Sequence, residues 1–181
     1  MNATRIPKPI DLGRTYDFTM DTLWEHYQKH NDKIEKGESL TRTVESDRYA
    51  CGFPVPHFQR PPVWTKEQKE RFIESVFLGL FIGTYCIHES DWEGPDATPT
   101  PFSGWCIDGQ QRLLTIEGYW NDEFKVFGLY FSELSKAEKR RFFQTPFKQY
   151  KVTLNNEDKI KDLYNRLALG GTAHTPQDIA V

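Results

Sequence analysis

The stretch Asp108-Gly109-Gln110-Gln111-Arg112 stands between the apolar run Trp105-Cys106-Ile107 and a helical pattern that begins at Leu113. A strand that passes into a helix through a glycine leaves the backbone N–H groups of the first helical turn without intrahelical partners. Those donors and the helix dipole both favour an anion, so this stretch predicts a phosphate site. The alternative interpretation is a plain tight turn at Gly109, with Arg112 paired to a surface carboxylate.

The side chains of this stretch suit phosphate chemistry. Arg112 carries a planar, permanently charged guanidinium that matches the geometry of phosphate oxygens. Gln110 and Gln111 supply neutral donors and acceptors, and Asp108 is placed to bind a metal ion or to orient a water molecule. A motif this short is a hypothesis until its surroundings agree with it.

Two further segments accompany this stretch in a fixed order. The first is Phe58-Gln59-Arg60-Pro61-Pro62-Val63-Trp64, and the second is Tyr164-Asn165-Arg166-Leu167-Ala168-Leu169-Gly170-Gly171. Together the three segments resemble the signature of the N-terminal domain family of GmrSD-type restriction enzymes, from about Thr19 to the C-terminus. The fold of that family resembles the ParB/sulfiredoxin-like fold. The resemblance therefore implies an α/β (α+β) domain in which helices surround a small mixed sheet.

The resemblance also implies a function, which is binding of a nucleoside triphosphate with Mg²⁺ and hydrolysis of that nucleotide. Asp108 would hold the Mg²⁺ or position the attacking water, and Gln110 and Gln111 would orient it, as in phosphoryl-transfer sites that act mainly by positioning. The predicted phosphate-binding residues are Gln59, Arg60, Gly109, Arg112 and Arg166.

Three positions depart from related sequences. Tyr164 stands where the family usually has phenylalanine, which is a mild change. Ala168 stands where the family usually has asparagine, which removes a polar side chain beside the predicted site. Sulfiredoxin carries a reactive cysteine at the position of Gln110, so its chemistry is not expected here. A degraded site would make the chain a non-catalytic module, such as a regulatory subunit, a DNA-sensing partner or a virus-encoded decoy.

A basic stretch supplies the candidate DNA contact. Lys139, Arg140 and Arg141 belong to a short helix that a capping box at Ser135 and Glu138 predicts. A solvated helix face over core aromatic residues is the alternative interpretation. Family members often join a separate HNH-type nuclease domain. Because the sequence contains no histidine–asparagine–histidine array, a separate nuclease chain is an expected partner, and DNA nicking by this domain alone follows only from distant ParB-like relatives.

Composition is typical of a soluble globular protein. The 181 residues fit one domain, 38% are hydrophobic and 27% charged, and the net charge of −3 confines any DNA contact to a local patch. We expect residues 1–17 to form an extended arm and residues 18–181 to form the domain. Cys51, Cys86 and Cys106 form no C-x-x-C pair, and no signal sequence or membrane-length apolar run is present. We therefore expect buried thiols in a cytoplasmic protein without membrane contact.

Local patterns predict several elements around these segments. Thr65 and Gln68 form a capping box that opens a helix. Alternation of apolar and polar residues predicts strands over 123–127 and 149–154. The last helix is expected to begin at about Asn156.

A histidine pair is the candidate metal site outside the motifs. His26 and His30 lie four residues apart on a predicted helix, a spacing that places two ligands on one helical face. Neither a third ligand nor a H-E-x-x-H pattern lies nearby in the sequence. Packing of the two rings in the domain is therefore the preferred interpretation.

Overall fold

The computed structural model describes residues 12–38, 43–93 and 98–169. Thirteen helices and strands make up the described part of the chain. In chain order they are β1 (Arg14–Tyr16), α1 (Met20–Glu35), β2 (Tyr49–Ala50), β3 (Phe53–Pro54), α2 (Lys66–Phe77), β4 (Thr84–His88), β5 (Trp92–Glu93), β6 (Thr98–Pro99), β7 (Cys106–Asp108), α3 (Gln110–Trp120), α4 (Lys136–Phe143), β8 (Lys148–Val152) and α5 (Glu157–Leu169).

A four-stranded mixed sheet in the order β1-β8-β4-β7 forms the centre of the fold. β8 pairs antiparallel with β1 and parallel with β4, and β4 pairs antiparallel with β7. The short pairs β2-β3 and β5-β6 lie outside this sheet. The predicted α/β class with a small mixed sheet and surrounding helices is therefore confirmed, and the arrangement is consistent with the ParB/sulfiredoxin-like fold.

The central strand β4 separates two hydrophobic cores because its successive side chains point to opposite faces. Tyr85 and Ile87 belong to the larger core, which is rich in aromatic residues and takes in buried residues of α1, α2, α3 and α4. Cys86 belongs to the smaller core, where it packs with β8 and with Ile160 and Leu163 of α5. The sheet is thus covered on both faces. α5 packs on the face of the smaller core, where it contacts β7.

Most local predictions agree with the structure, and one is wrong. Both capping boxes form, at Thr65 and at Ser135. β8 forms where a strand was predicted but ends at Val152, two residues early, and α5 begins one residue after Asn156. Residues 123–127 form no strand. Asp122 and Phe127 both have positive φ angles, and Val126 makes an isolated bridge with Leu129, so the segment is a sequence of turns.

Both ends of the chain extend beyond the described residues. Within the predicted arm over 1–17, Arg14–Tyr16 form the edge strand β1 of the central sheet, whereas residues 1–11 lie outside the described part. Gly170 and Gly171 of the third segment also lie outside it. Among the helices that the structure describes, none combines the length and the apolar character needed to cross a lipid bilayer.

Candidate functional site

Gly109 forms the sharp connection between β7 and α3. Its φ angle is 100°, in the left-handed region, and a Cβ atom at this position would lie 2.7 Å from the Cβ of Tyr85. Glycine therefore allows both the turn and the close approach to β4. No described side chain caps the N-terminus of α3, so the donors of its first turn remain available to a ligand. The predicted strand-to-helix connection is confirmed.

A small pocket of about 120 Å³ lies at this connection. The three sequence segments meet there, since the pocket is lined by residues from the 58–64 segment, from the start of α3 and from the last turns of α5. Its lining residues are Gln59, Arg60, Trp64, Asp108, Gly109, Gln110, Gln111, Arg112, Tyr164, Leu167 and Ala168. Every predicted nucleotide-site residue except Arg166 is in this set.

Arg112 makes an ion pair inside the pocket. Its Nη2 atom donates to Asp108 Oδ2 at 2.6 Å and to the carbonyl oxygen of Thr84 at 2.7 Å. Each side chain of the pair is about one quarter exposed, at 25% for Arg112 and 26% for Asp108. The buried Nε of Arg112 has no hydrogen-bond partner among the described residues. The structure therefore contains both the ion pair of the alternative interpretation and the pocket of the phosphate interpretation. The paired carboxylate, Asp108, lines the pocket itself.

The glutamines differ in their contacts. Gln111 Oε1 accepts hydrogen bonds from the backbone N–H groups of Val63 and Trp64, at 3.0 and 3.2 Å. Gln59 is buried, and its Nε2 donates to the carbonyl oxygens of Cys106 and Ile107 in β7. Both side chains thus hold the 58–64 segment against the motif. Gln110 is also buried, and it lines the pocket.

The wall that α5 contributes is apolar. Ala168, which replaces the usual asparagine, lines the pocket together with Tyr164 and Leu167. The departure noted in the sequence therefore lies within the site. Leu167 was not predicted, although its position three residues after Tyr164 on one helical face could have identified it.

Arg166 lies outside the pocket in the structure. Its side chain is exposed and donates through Nε to Asp162 Oδ2 at 2.9 Å, one helical turn earlier on α5. The Arg166 side chain is 64% exposed, so it lies on the solvent side of α5 and not on the side that lines the pocket. The structure therefore does not bring Arg166 together with Arg112 and Arg60.

The predicted DNA-contact residues lie on α4. Arg140 and Arg141 are exposed, whereas Lys139 donates to the carbonyl oxygen of Ser132 and its ammonium group lies 5.3 Å from the ring centroid of Phe131. Aromatic residues of the same helix pack inward, with Phe142 fully buried. The helix presents a solvated basic face over an aromatic core, as the alternative interpretation describes.

The cysteines are buried, as predicted. Burial raises the pKa of Cys86 to about 12 and raises the pKa values of Cys51 and Cys106 well above their usual range. Thiols with such raised pKa values carry little thiolate at neutral pH and are poor nucleophiles.

The two histidines pack against aromatic rings. His26 stacks on Phe53 with ring centroids 4.0 Å apart, and His30 lies beside Tyr49 at 4.8 Å. In the described part of the chain, no group of three or more histidine, cysteine, aspartate or glutamate side chains is arranged to hold a metal ion. The packing interpretation of the histidine pair agrees with these contacts.

Fold and pocket together define an α/β domain whose candidate ligand site is the N-terminus of a helix flanked by arginines. Residues 40–180 match the family model of the GmrSD restriction endonuclease N-terminal domain, so the chain belongs to that family. The predicted family is thus confirmed, and the chain is a module related to phage-defence restriction systems.

One curated relative gives a local match. A stretch of 59 residues is 39% identical to the uncharacterized protein MJ0686 of Methanocaldococcus jannaschii. The match covers 33% of this chain and 9% of that protein, so the chain corresponds to a small part of the relative's length. No solved structure matches the chain significantly.

Proposed function

We propose that this domain binds a nucleoside triphosphate at the Gly109 pocket and hydrolyses it as part of a restriction system. The observation that carries the proposal is the pocket itself, whose lining combines an uncapped helix N-terminus with Arg112 and Arg60. Helix N-termini bind phosphate through free N–H groups and the helix dipole. Two arginines at the same pocket add charge-assisted hydrogen bonds to phosphate oxygens.

In this proposal each side chain has a defined task. The first-turn N–H groups of α3 and the guanidinium groups of Arg60 and Arg112 hold phosphate oxygens. Asp108 fixes one edge of the Arg112 guanidinium, so this cation is oriented before the ligand arrives. Gln110 is the glutamine best placed to orient the attacking water, because the side-chain Oε1 of Gln111 already accepts two backbone N–H groups.

Asp108 is the residue that would hold Mg²⁺. Arg112 contacts its Oδ2 atom, and no described residue donates to the other carboxylate oxygen. One carboxylate oxygen, with phosphate oxygens and water as the remaining ligands, is an ordinary Mg²⁺ environment in nucleotide sites. The bound ion would neutralise developing negative charge on the phosphates.

Calorimetry and phosphate release with Mg²⁺ and each nucleoside triphosphate test this proposal. We expect Arg112→Ala to weaken triphosphate binding by about 1.5–3 kcal/mol, because a charged hydrogen bond to phosphate is lost. Asp108→Asn keeps an oxygen for Arg112 but loses the charge that attracts Mg²⁺. We expect it to leave affinity within a few-fold and to lower turnover on the order of a hundredfold.

Arg166→Ala and Asp162→Asn are the matched controls. Like the Asp108–Arg112 pair, Asp162 and Arg166 are an aspartate and an arginine four residues apart that form an ion pair, but this second pair lies outside the pocket. Both controls should bind and hydrolyse nucleotide as the wild type does. Nucleotide binding without hydrolysis in the wild type would favour a regulatory binding module. Absence of binding would refute the proposal.

A further inference from the structure

A second and larger pocket lies beside the candidate site, with Gln59 shared between the two. Its volume is about 670 Å³, and its walls come from residues 45–48, from Trp105 and from Val55, Pro56, His57, Gln59 and Pro61. The phosphate-site residues Arg60, Gly109 and Arg112 are not part of it. A volume in this range is typical of pockets that bind small organic molecules.

Hydrogen bonds hold the walls of the second pocket in place. Ser46 Oγ donates to the carbonyl oxygen of Val55 at 2.9 Å. Arg48 Nη2 donates to the carbonyl oxygens of Pro56 and Gln59, each at 2.9 Å. These bonds join the 45–48 segment to the 55–59 segment, so the cavity between them is formed before any ligand binds.

Trp105 offers a rigid aromatic surface to this pocket. The indole is partly exposed, and it packs against Phe102 with ring centroids 4.9 Å apart and against Phe58 at 5.8 Å. Aromatic side chains held in this way stack on nucleobases. The pocket therefore contains a preformed platform for a flat heterocycle.

The charges of the second pocket disfavour phosphate. Glu45 and Asp47 are exposed carboxylates in its wall, against the single guanidinium of Arg48, which is bonded to backbone carbonyl oxygens. Carboxylates accept hydrogen bonds and repel anions. The favoured ligand is thus an uncharged group that carries N–H donors, and a nucleobase edge has such donors.

The dimensions connect the two pockets. The first pocket, at about 120 Å³, lies below the range of roughly 300–1,000 Å³ that is typical of pockets for small organic molecules. That space suits a phosphate group but not a base and a ribose. Trp105 precedes β7 and Asp108 ends it, so they lie roughly 10 Å apart at about 3.3 Å per residue. A nucleotide bound at both pockets would have to span about this backbone distance.

We infer that the second pocket binds a nucleobase, which stacks on Trp105 with its N–H edge toward Glu45 and Asp47. The assignment of this base to a free nucleotide rests on the proposed function. The same chemistry in a DNA strand would place a base of that strand in the pocket. The free nucleotide is the source that the shared Gln59 wall and the strand length favour.

Calorimetric titration with phosphate-free nucleosides, with nucleoside triphosphates and with a single-stranded oligonucleotide tests this inference. Glu45→Gln/Asp47→Asn removes the acceptor charge from two exposed positions, and Trp105→Leu removes the platform but keeps apolar bulk. We expect each to weaken nucleoside binding at least about fivefold, a loss at the lower end of one stacked base. Glu25→Gln, an exposed carboxylate on α1, is the matched control and should bind as the wild type does.

The outcomes separate the base pocket from the proposed function. Triphosphate binding that Arg112→Ala weakens, but that neither second-pocket variant changes, would overturn the base pocket and retain the proposed function. Nucleoside binding that the second-pocket variants weaken, with no gain from added phosphates, would retain the base pocket and refute the proposed function. Binding of the oligonucleotide in place of free nucleosides, with the same sensitivity to the variants, would identify DNA as the source of the base. No binding of any of these ligands would overturn the inference.

Discussion

Gly109 shows how one residue fixes the geometry of the site. Its φ of 100° and the 2.7 Å approach to Tyr85 leave no room for a side chain. We expect Gly109→Ala to lower the free energy of unfolding by about 2–4 kcal/mol, because backbone strain and a steric clash add. Gly37→Ala is a matched control with φ of 64° and no atom within 4 Å of an added Cβ, and it should cost about 1 kcal/mol. Urea unfolding of both variants measures the difference, and equal losses would contradict the steric argument.

The chemistry of single residues could be predicted from the sequence, but their pairing could not. The order of a strand, a glycine and a helix identified Asp108, Gly109 and Arg112 as site residues, because that order determines where the free N–H groups lie. The bond from Arg112 to Thr84 joins residues 28 positions apart, and only the assembled sheet brings them together. Arg166 was placed on the site from the motif alone, while its helical face depends on how α5 packs.

At the scale of elements, the 58–64 segment and α3 behave as one unit because Gln111 joins them. Its side-chain Oε1 accepts hydrogen bonds from the backbone N–H groups of Val63 and Trp64, and the Trp64 ring packs on Phe72 of α2. Gln111 therefore acts in the structure as a positioning residue for the wall that carries Arg60. A role in orienting water would use an oxygen that is already engaged.

Hydrogen exchange tests this positioning role. We expect Gln111→Ala to accelerate exchange at the amides of Val63 and Trp64, and to cost about 0.5–1.5 kcal/mol of stability, since these donors lose their protein acceptor. Gln111→Glu replaces the amide oxygen by a carboxylate oxygen that can accept the same two hydrogen bonds, so it should preserve the protection of both amides. Unchanged exchange in Gln111→Ala would show that the two bonds contribute nothing to the position of this wall.

The helix α4 carries the DNA prediction. Arg140 and Arg141 are exposed, whereas Lys139 packs on Phe131, so the two arginines are the residues free to approach a phosphate backbone. We expect Arg140→Glu/Arg141→Glu to abolish a gel shift with DNA, and the wild-type shift to weaken steeply with salt, by about one log–log unit per phosphate contact. Lys29→Glu/Lys36→Glu makes the same charge change at an exposed position of α1 and at its exposed C-cap, and should retain binding. Equal loss in both variants would assign the effect to net charge alone.

Helix starts were the most predictable elements, and turns the least. The capping boxes at Thr65 and Ser135 form as expected, because a capping box is satisfied within four consecutive residues. The 123–127 segment has strand-like alternation, and Phe124 and Val126 are indeed buried. The positive φ of Phe127 breaks the extended backbone, and a phenylalanine side chain does not indicate that angle.

At the scale of the whole molecule, the sheet order β1-β8-β4-β7 joins the two ends of the chain. β8 lies between β1 and β4, so a strand near residue 150 separates strands near residues 15 and 85. The resemblance to the family predicted the α/β class, but the order of the strands depends on which faces of the elements pack together in the folded domain. Family membership, supported by three ordered motifs, was therefore a stronger guide to the architecture than the local patterns.

The stability of the whole domain should depend on pH through His26. Burial, together with the nearby His30, lowers the pKa of His26 from 6.5 to about 4. As the pH falls below 6.5 the unfolded chain takes up this proton before the folded domain does, so stability is complete above that pH and declines toward pH 4. We expect this histidine alone to remove about 2 kcal/mol between about pH 7.5 and about pH 5.

His26→Phe isolates this contribution, because phenylalanine can keep the stack on Phe53 and does not titrate. Urea unfolding at the two pH values should show a loss of stability in the wild type that exceeds the loss in His26→Phe by about 2 kcal/mol. Burial raises the pKa of Glu117, which acts in the opposite direction but equally in both proteins. Equal losses in the wild type and in His26→Phe would mean that the His26 ring reaches solvent and titrates as freely in the folded domain as in the unfolded chain.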